Sequence, residues 1–371
     1  MSTTNESPHE SLPDQPYGPS PVGDFDLLTP ELILQAVEEA YDLRLSGTLT
    51  PYNSYINRVY ELHDEDETAY MAKFYRPGRW SKEAILEEHS FIFDCLDMEI
   101  PTVAPLAASA GHTLSSIEVV ETSAGGTGEE PGASEAALPS DSGTEAEHVQ
   151  EYPLALFPKR GGRNFDAESE EDFLRLGALV GRMHSAARTR GAEHRSYCLP
   201  SPIIDQCLRE LDENDAVHPV HREEFFALAE EIRSHISPLF EGVPLQRLHG
   251  DCHRGNILER PGEGLLLLDF DDMMMGPAIQ DLWMLLPGRA EECPQEFNLL
   301  AEGYEQFLPF SYEQKKLIEP LRAMRMLYYL AWSARQQNDR KFRAEHPHWG
   351  TAAFWSKEIE DLRDQLEYFE R

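Results

Sequence analysis

Apolar positions along this chain follow two periods. At Leu32, Ile33, Ala36, Val37 and Ala40 they recur at helical spacing. Thr29, Pro30 and Glu31 ahead of them supply a cap, a first-turn proline and a first-turn acid, which predicts a helix beginning there. Residues 47–52 then read as a turn leading into a strand over 56–62, and the acidic turn 63–67 joins that strand to a second over 69–75. Helical spacing returns over 81–96, where Ile85, Glu88, Ile92 and Cys95 share a face. Short strands are expected at 103–106, 117–121 and 152–157. A helix over 169–185 carries the stripe Phe173, Leu176, Val180 and Met183, and mixed helix fills 202–240. Residues 265–268 are four leucines in a row, the pattern of a strand buried on both faces. Helices are expected again at 278–286 and within 312–335 and 352–370.

Three polar side chains stand where this apolar pattern breaks. Asp251 and Asn256 are spaced Asp-x4-Asn behind His249 and Gly250, and Asp269 follows the leucine strand. Gly262 and Gly264 suit a hairpin turn, and pairing 256–258 with 265–268 would bring the three side chains to one end. Taken singly, each is an ordinary turn or strand-end residue. Their joint spacing matches what phosphoryl transfer asks for on kinase-type folds. One carboxylate accepts the proton of an attacking hydroxyl, while an amide and a second carboxylate hold Mg2+ against nucleotide phosphates. Lys73 lies in the strand 69–75, where a lysine reaches inward to phosphates, and Glu88 is the acid expected to hold it. Asp281 stands alone in the apolar helix 278–286, a costly place for a carboxylate without hydrogen bonds. His249 is expected to support the loop, His253 to face solvent or substrate, and His184 to sit at a helix end.

The stretch 247–258, with its continuation 265–272, resembles the aminoglycoside phosphotransferase and choline kinase branch of the kinase-like fold. That branch carries His-Gly-Asp-x4-Asn where protein kinases carry His-Arg-Asp-x4-Asn. Residues 49–59, 73–80, 276–285, 318–325 and 328–332 resemble, within it, the bacterial stress response kinase A family. The resemblance implies an α+β, bilobal protein-kinase-like fold, with a small antiparallel-sheet N lobe over 24–157 and a mainly helical C lobe over 158–371. It implies ATP as co-substrate and Mg2+ as the metal. Asp251 would be the catalytic base, with Asn256 and Asp269 on the metal. Ser54, in a loop without glycine, would touch phosphate. Backbone groups of the hinge 157–162, which contains Phe157 and Lys159, would meet the adenine edge. Asp281 would accept backbone N–H groups of the catalytic loop. The acceptor implied is a protein Ser or Thr hydroxyl, with a small amino alcohol or aminoglycoside-type molecule as the alternative. Only eleven residues separate Asp269 from Asp281, too few for a protein-kinase activation loop.

Charge changes this picture in one respect. The net charge is −35, from 67 acids against 32 bases, of which only seven are lysines. Such a surface repels nucleic acid and anionic lipid, so neither is an expected partner. ATP must approach through the same field. A salt-rich cytosol is the simplest account, because the screening length falls from roughly 8 Å at 0.15 M to about 3 Å at 1 M salt. Residues 1–23, rich in Pro and Ser with acids and no base, read as a disordered tail, and 122–148 as a disordered acidic insertion. Five scattered cysteines without CxxC spacing read as reduced thiols, and no zinc spacing is present. With no apolar run of eighteen and a polar N-terminus, the expectation is a cytoplasmic protein; a monomer is expected as well.

Overall fold

The computed structural model describes residues 25–52, 54, 56–121, 148–338 and 340–369. The expected tail 1–23, and residues 122–147 of the expected insertion, lie outside them. The chain divides into two units: Pro21–Arg79 with Pro105–Lys159, and Trp80–Ala104 with Arg160–Arg371.

The first unit packs helix α1 (Pro30–Tyr41) with an antiparallel sheet. Its strands are β1 (Leu45–Tyr52), β2 (Arg58–Asp64), β3 (Ala69–Phe74), β4 (Ser115–Glu121) and β5 (His148–Pro158), in the order β1-β2-β3-β5-β4. Thr29 caps α1 by accepting the Leu32 N–H at 3.4 Å, and Ile33, Ala36 and Val37 join Leu62, Phe74, Leu154 and Leu156 in one core. Two expectations are corrected here. Residues 45–52 form a strand rather than a turn. As the edge of the sheet, β1 tolerates Gly47 and Pro51, because its outer side has no ladder to complete. Residues 103–106 form no strand: Pro105 lacks an N–H, and the stretch is held by the Leu106 N–H donating to Leu156 C=O at 2.7 Å.

The second unit begins with helix α2 (Lys82–Asp97) and continues through β6 (Arg163–Asn164), α3 (Glu170–Ala187), α4 (Pro200–Glu213) and α5 (Arg222–Ile236). Next come β7 (Gln246–Leu248), β8 (Ile257–Arg260), β9 (Gly264–Leu267) and β10 (Met274–Gly276). The chain then closes with α6 (Ile279–Trp283), α7 (Pro294–Glu305), α8 (Ile318–Gln336), α9 (Arg340–Glu345) and α10 (Ala352–Glu367). The expected hairpin forms as β8 and β9, paired from Ile257 with Leu267 to Arg260 with Gly264. β7 and β10 pair in a separate two-stranded sheet.

Helix α7 was not expected from the sequence. It crosses α3 with the two backbones nearly touching. A Cβ placed on Gly177 or Gly303 would overlap the carbonyl oxygens of Leu300 and Leu174, and one on Gly181 would lie 2.7 Å from the Tyr304 carbonyl oxygen. Only glycine permits that approach. The structure thus has an antiparallel sheet in its N-terminal part and a helical remainder, the α+β class expected. All five cysteines are buried thiols, and no helix among the described residues is long and apolar enough to cross a membrane.

Candidate active site

The site is built on the loop between β7 and β8, and that loop is fixed from below by Asp281. The buried carboxylate accepts the His249 N–H at 2.8 Å and the Gly250 N–H at 2.9 Å, and His184 Nε2 lies 3.0 Å from its Oδ2. His184 Nδ1 lies 3.2 Å from the Tyr304 hydroxyl. Burial pushes that hydroxyl up to about 12, so Tyr304 stays the proton donor. Tyr304 therefore donates to Nδ1, and Nε2 carries the hydrogen toward Asp281. Both oxygens of this buried carboxylate accept hydrogen bonds, which offsets the cost of placing it among apolar side chains. His184 is thus a member of a buried network as well as a residue of the last turn of α3. Gln280 adds a bond from Nε2 to the Gly250 C=O at 3.2 Å. Gly250 itself has φ +87, and a Cβ there would collide with the Asp272 carbonyl oxygen. Glycine is required beside Asp251 on both counts.

Above this floor the Asp251 side chain is about a quarter exposed. Its Oδ1 accepts from Arg325 Nη2 at 3.0 Å, and its Oδ2 lies 3.3 Å from His253 Nε2. His253 Nδ1 accepts the Gly255 N–H at 2.9 Å, which leaves its hydrogen on Nε2, facing Asp251. Burial by itself would raise the Asp251 carboxyl, but the His253 hydrogen bond and the charge of Arg325 hold it well below the usual carboxylate range. Asn256 donates from Nδ2 to the Asp251 C=O at 3.0 Å, which commits its nitrogen and leaves Oδ1 as a free-facing acceptor. The Leu268 N–H donates to the Asn256 C=O at 2.9 Å, so the end of β9 delivers Asp269 beside this loop. Asp269 adopts φ +60, the left-handed region that few residues other than glycine enter. Asp251, Asn256 and Asp269 are therefore brought together.

Behind Asp269, Phe270 is buried between the His249 ring, 4.7 Å away by centroid, and Phe91 of α2 at 5.4 Å. His249 Nε2 also reaches the Leu268 C=O at 2.8 Å. Arg195, fully buried, joins this segment to α2. It donates to the Asp271 C=O at 2.7 Å, to the Ala84 C=O at 2.8 Å, and to Glu88 Oε2 at 3.0 Å, with its guanidinium 4.3 Å from the Trp80 ring. Glu88 is buried, as its place on the apolar face of α2 implied.

The other expected residues belong to the first unit. Lys73 is buried in β3, opposite Val59 and Ala155, with Nζ 4.7 Å from the Tyr75 ring centroid. The Ser54 C=O accepts from Arg58 at 3.2 Å. Phe157 continues β5 opposite Met71. The Lys159 N–H still reaches the Ala69 C=O at 3.0 Å, while its ammonium is paired with Glu61 at 2.6 Å.

The donor set near Asp251 suits a hard cation. Asn256 and Asp269 offer oxygens, and among the described residues no group of three or more His, Cys, Asp or Glu could hold a metal alone. Mg2+ is ordinarily held by one or two such protein oxygens together with substrate phosphates and water. The residues present fit it.

Known proteins are similar to this chain. The model of the phosphotransferase enzyme family matches residues 48–318. Stress response kinase A of Escherichia coli strain K12 is 35% identical over 344 residues, 92% of this chain and 93% of that protein. The serine/threonine protein kinase RdoA of Salmonella typhimurium strain LT2 is 36% identical over the same shares. Among solved structures, amicoumacin kinase hAmiN in complex with AMP-PNP, Ca2+ and Ami superposes with a TM-score of 0.66 at 17% identity, covering 90% of this chain and 93% of that one. At that identity the likeness concerns the fold.

Proposed function

This chain belongs to the phosphotransferase enzyme family and, within it, with the stress response kinase A proteins; on that premise we propose that it transfers the γ-phosphoryl group of Mg-ATP to Ser or Thr hydroxyls of proteins, as part of a stress response. That it is an ATP-dependent kinase follows from the family. The acceptor and the residue roles are our reading. The observation that carries it is the Asp251 carboxylate, partly exposed at the tip of a loop whose backbone is pinned by Asp281.

An acceptor hydroxyl hydrogen-bonds Asp251. As its oxygen forms a bond to the γ-phosphorus, the bond from that phosphorus to the bridging oxygen breaks, ADP leaves, and the hydroxyl proton passes to Asp251. Asn256 and Asp269 would hold Mg2+, which when bound neutralises phosphate charge. Lys73 and Ser54 serve as phosphate contacts and Glu88 as the structural acid of α2. Because the Lys159 ammonium is engaged by Glu61 and its N–H by the Ala69 C=O, Lys159 would offer its C=O, beside Phe157, to the adenine edge.

A transfer assay with labelled Mg-ATP tests this, offering the enzyme itself, a generic protein, and a panel of small alcohols and amino sugars. Wild type should label protein Ser or Thr. Asp251→Asn should lower transfer by roughly 10²–10⁴-fold with its melting temperature little changed. Equal labelling by both would remove Asp251 from the role of base. Labelling of a small alcohol with no protein labelled would replace the protein-kinase reading by a metabolite-kinase one.

A further inference from the structure

Arg325 is the cation at the side chain of Asp251, and it comes from far along the chain, from the solvent face of α8. It is 44% exposed. In a chain of net charge −35, the two groups facing the carboxylate oxygens are an arginine and a histidine. The same face of α8 continues with Tyr329, one turn on and 49% exposed, and with Trp332, whose ring stacks on Tyr329 at 5.8 Å and 22°. Arg322, one turn earlier, is already engaged by Glu319 at 3.2 Å and lies 4.9 Å from the Trp283 ring. The stripe therefore has one cation at the carboxylate and two aromatic rings leading away from it.

We propose that Arg325, Tyr329 and Trp332 form the acceptor-recognition surface, and that it selects a hydroxyl carried by an acidic polypeptide segment over a cationic alcohol. This rests on Asp251 being the base. Any hydroxyl that reaches Asp251 comes within contact of the guanidinium. A positively charged acceptor is repelled there. A carboxylate one or two residues from the hydroxyl can take N–H groups of Arg325, which has five donors and gives one to Asp251 and one to the Met284 sulfur. Asp251 keeps lone pairs for the incoming hydroxyl, because a carboxylate offers about four acceptor positions. The length of the surface favours a chain over a small molecule. Seven residues of helix separate Arg325 from Trp332, about 10 Å along α8. An extended peptide covers that distance in three residues, roughly 3.3 Å each, and its side chains can rest on the exposed Tyr329 ring.

The test compares kcat/KM of the intact protein for three Ser decapeptides that are identical except for Glu, Gln or Lys beside the serine. Two small acceptors of similar size, a hydroxy acid and a quaternary amino alcohol, are run alongside. Wild type should prefer the Glu peptide over the Lys peptide by roughly tenfold or more. Arg325→Gln should bring that ratio toward one, and Arg325→Glu should invert it. Tyr329→Ala should raise KM for peptides and leave the small hydroxy acid unaffected. Melting curves establish that each variant is folded, as expected for exposed positions. Equal use of Glu and Lys peptides, or a preference that survives Arg325→Glu, overturns the proposal. Labelling of the hydroxy acid with no peptide keeps the charge selection and sinks the protein-acceptor reading. Labelling of the quaternary amino alcohol instead sinks the charge selection and leaves a kinase with another substrate. Transfer to none of the five overturns both.

Discussion

The two sides of Asp251 are held in opposite ways. Its backbone side faces a closed, buried network in which Asp281, His184, Tyr304 and Gln280 satisfy one another and the loop. Its side-chain side faces solvent and rests on Arg325 and His253, both substantially exposed. A buried carboxylate held by three hydrogen bonds is stiff, because breaking one bond leaves a desolvated group unpaired. An exposed ion pair is worth little and can exchange partners. The loop is thus anchored from below and left open to exchange above, which suits a group that must hold its position while acceptors come and go.

Substitutions can break that contrast. Asp281→Ala strips two loop N–H groups and His184 of their acceptor, and each orphaned buried group costs about 1–3 kcal/mol. Chemical denaturation should therefore show a loss of several kcal/mol or outright failure to fold, with Asp281→Asn retaining part of it. Gly250→Ala meets both a positive φ and the Asp272 carbonyl; the backbone strain alone is about 1–2 kcal/mol. Transfer activity should fall further than stability, since the misplaced atom is next to Asp251. Arg325→Gln should change unfolding free energy by less than about 1 kcal/mol, the range of an exposed pair, while altering peptide selectivity. The smallest effect sharpens the contrast differently. Adding KCl should raise the melting temperature of wild type and Asp281→Asn in parallel, because screening acts on exposed carboxylates and leaves the buried network untouched. A salt response confined to one of them would join the two sides that we separate.

The same division governs what could be read in the sequence. Asp251, Asn256 and Asp269 lie within nineteen residues, joined by one hairpin, so spacing and turn glycines were enough to place them. Asp281 stood out as an acid in an apolar helix. Arg325, Arg195 and His184 carried no such sign. Their partners lie 74, 76 and 97 residues away, at Asp251, Asp271 and Asp281, and an arginine or histidine at that separation looks like any surface residue. Arg195 was the hardest to foresee, being wholly buried in a chain whose charged residues mostly face water. Helix α7 was hidden by Gly303, a poor helix former whose lack of a side chain is what the crossing with α3 needs. β1 was masked in the same manner by Gly47 and Pro51, which an edge strand tolerates.

That crossing of α3 and α7 has a consequence for how the site moves in time. Where side chains interdigitate, two helices can shift by small rotamer changes, one contact after another. Between Gly177, Gly181 and Gly303 there is no side chain to rotate, and carbonyl oxygens block any sliding. The pair is therefore expected to open as one piece. The amides of α3 from Gly177 to His184 should then exchange with deuterium only when the whole unit unfolds, and binding of nucleotide or acceptor should leave their slow exchange unchanged.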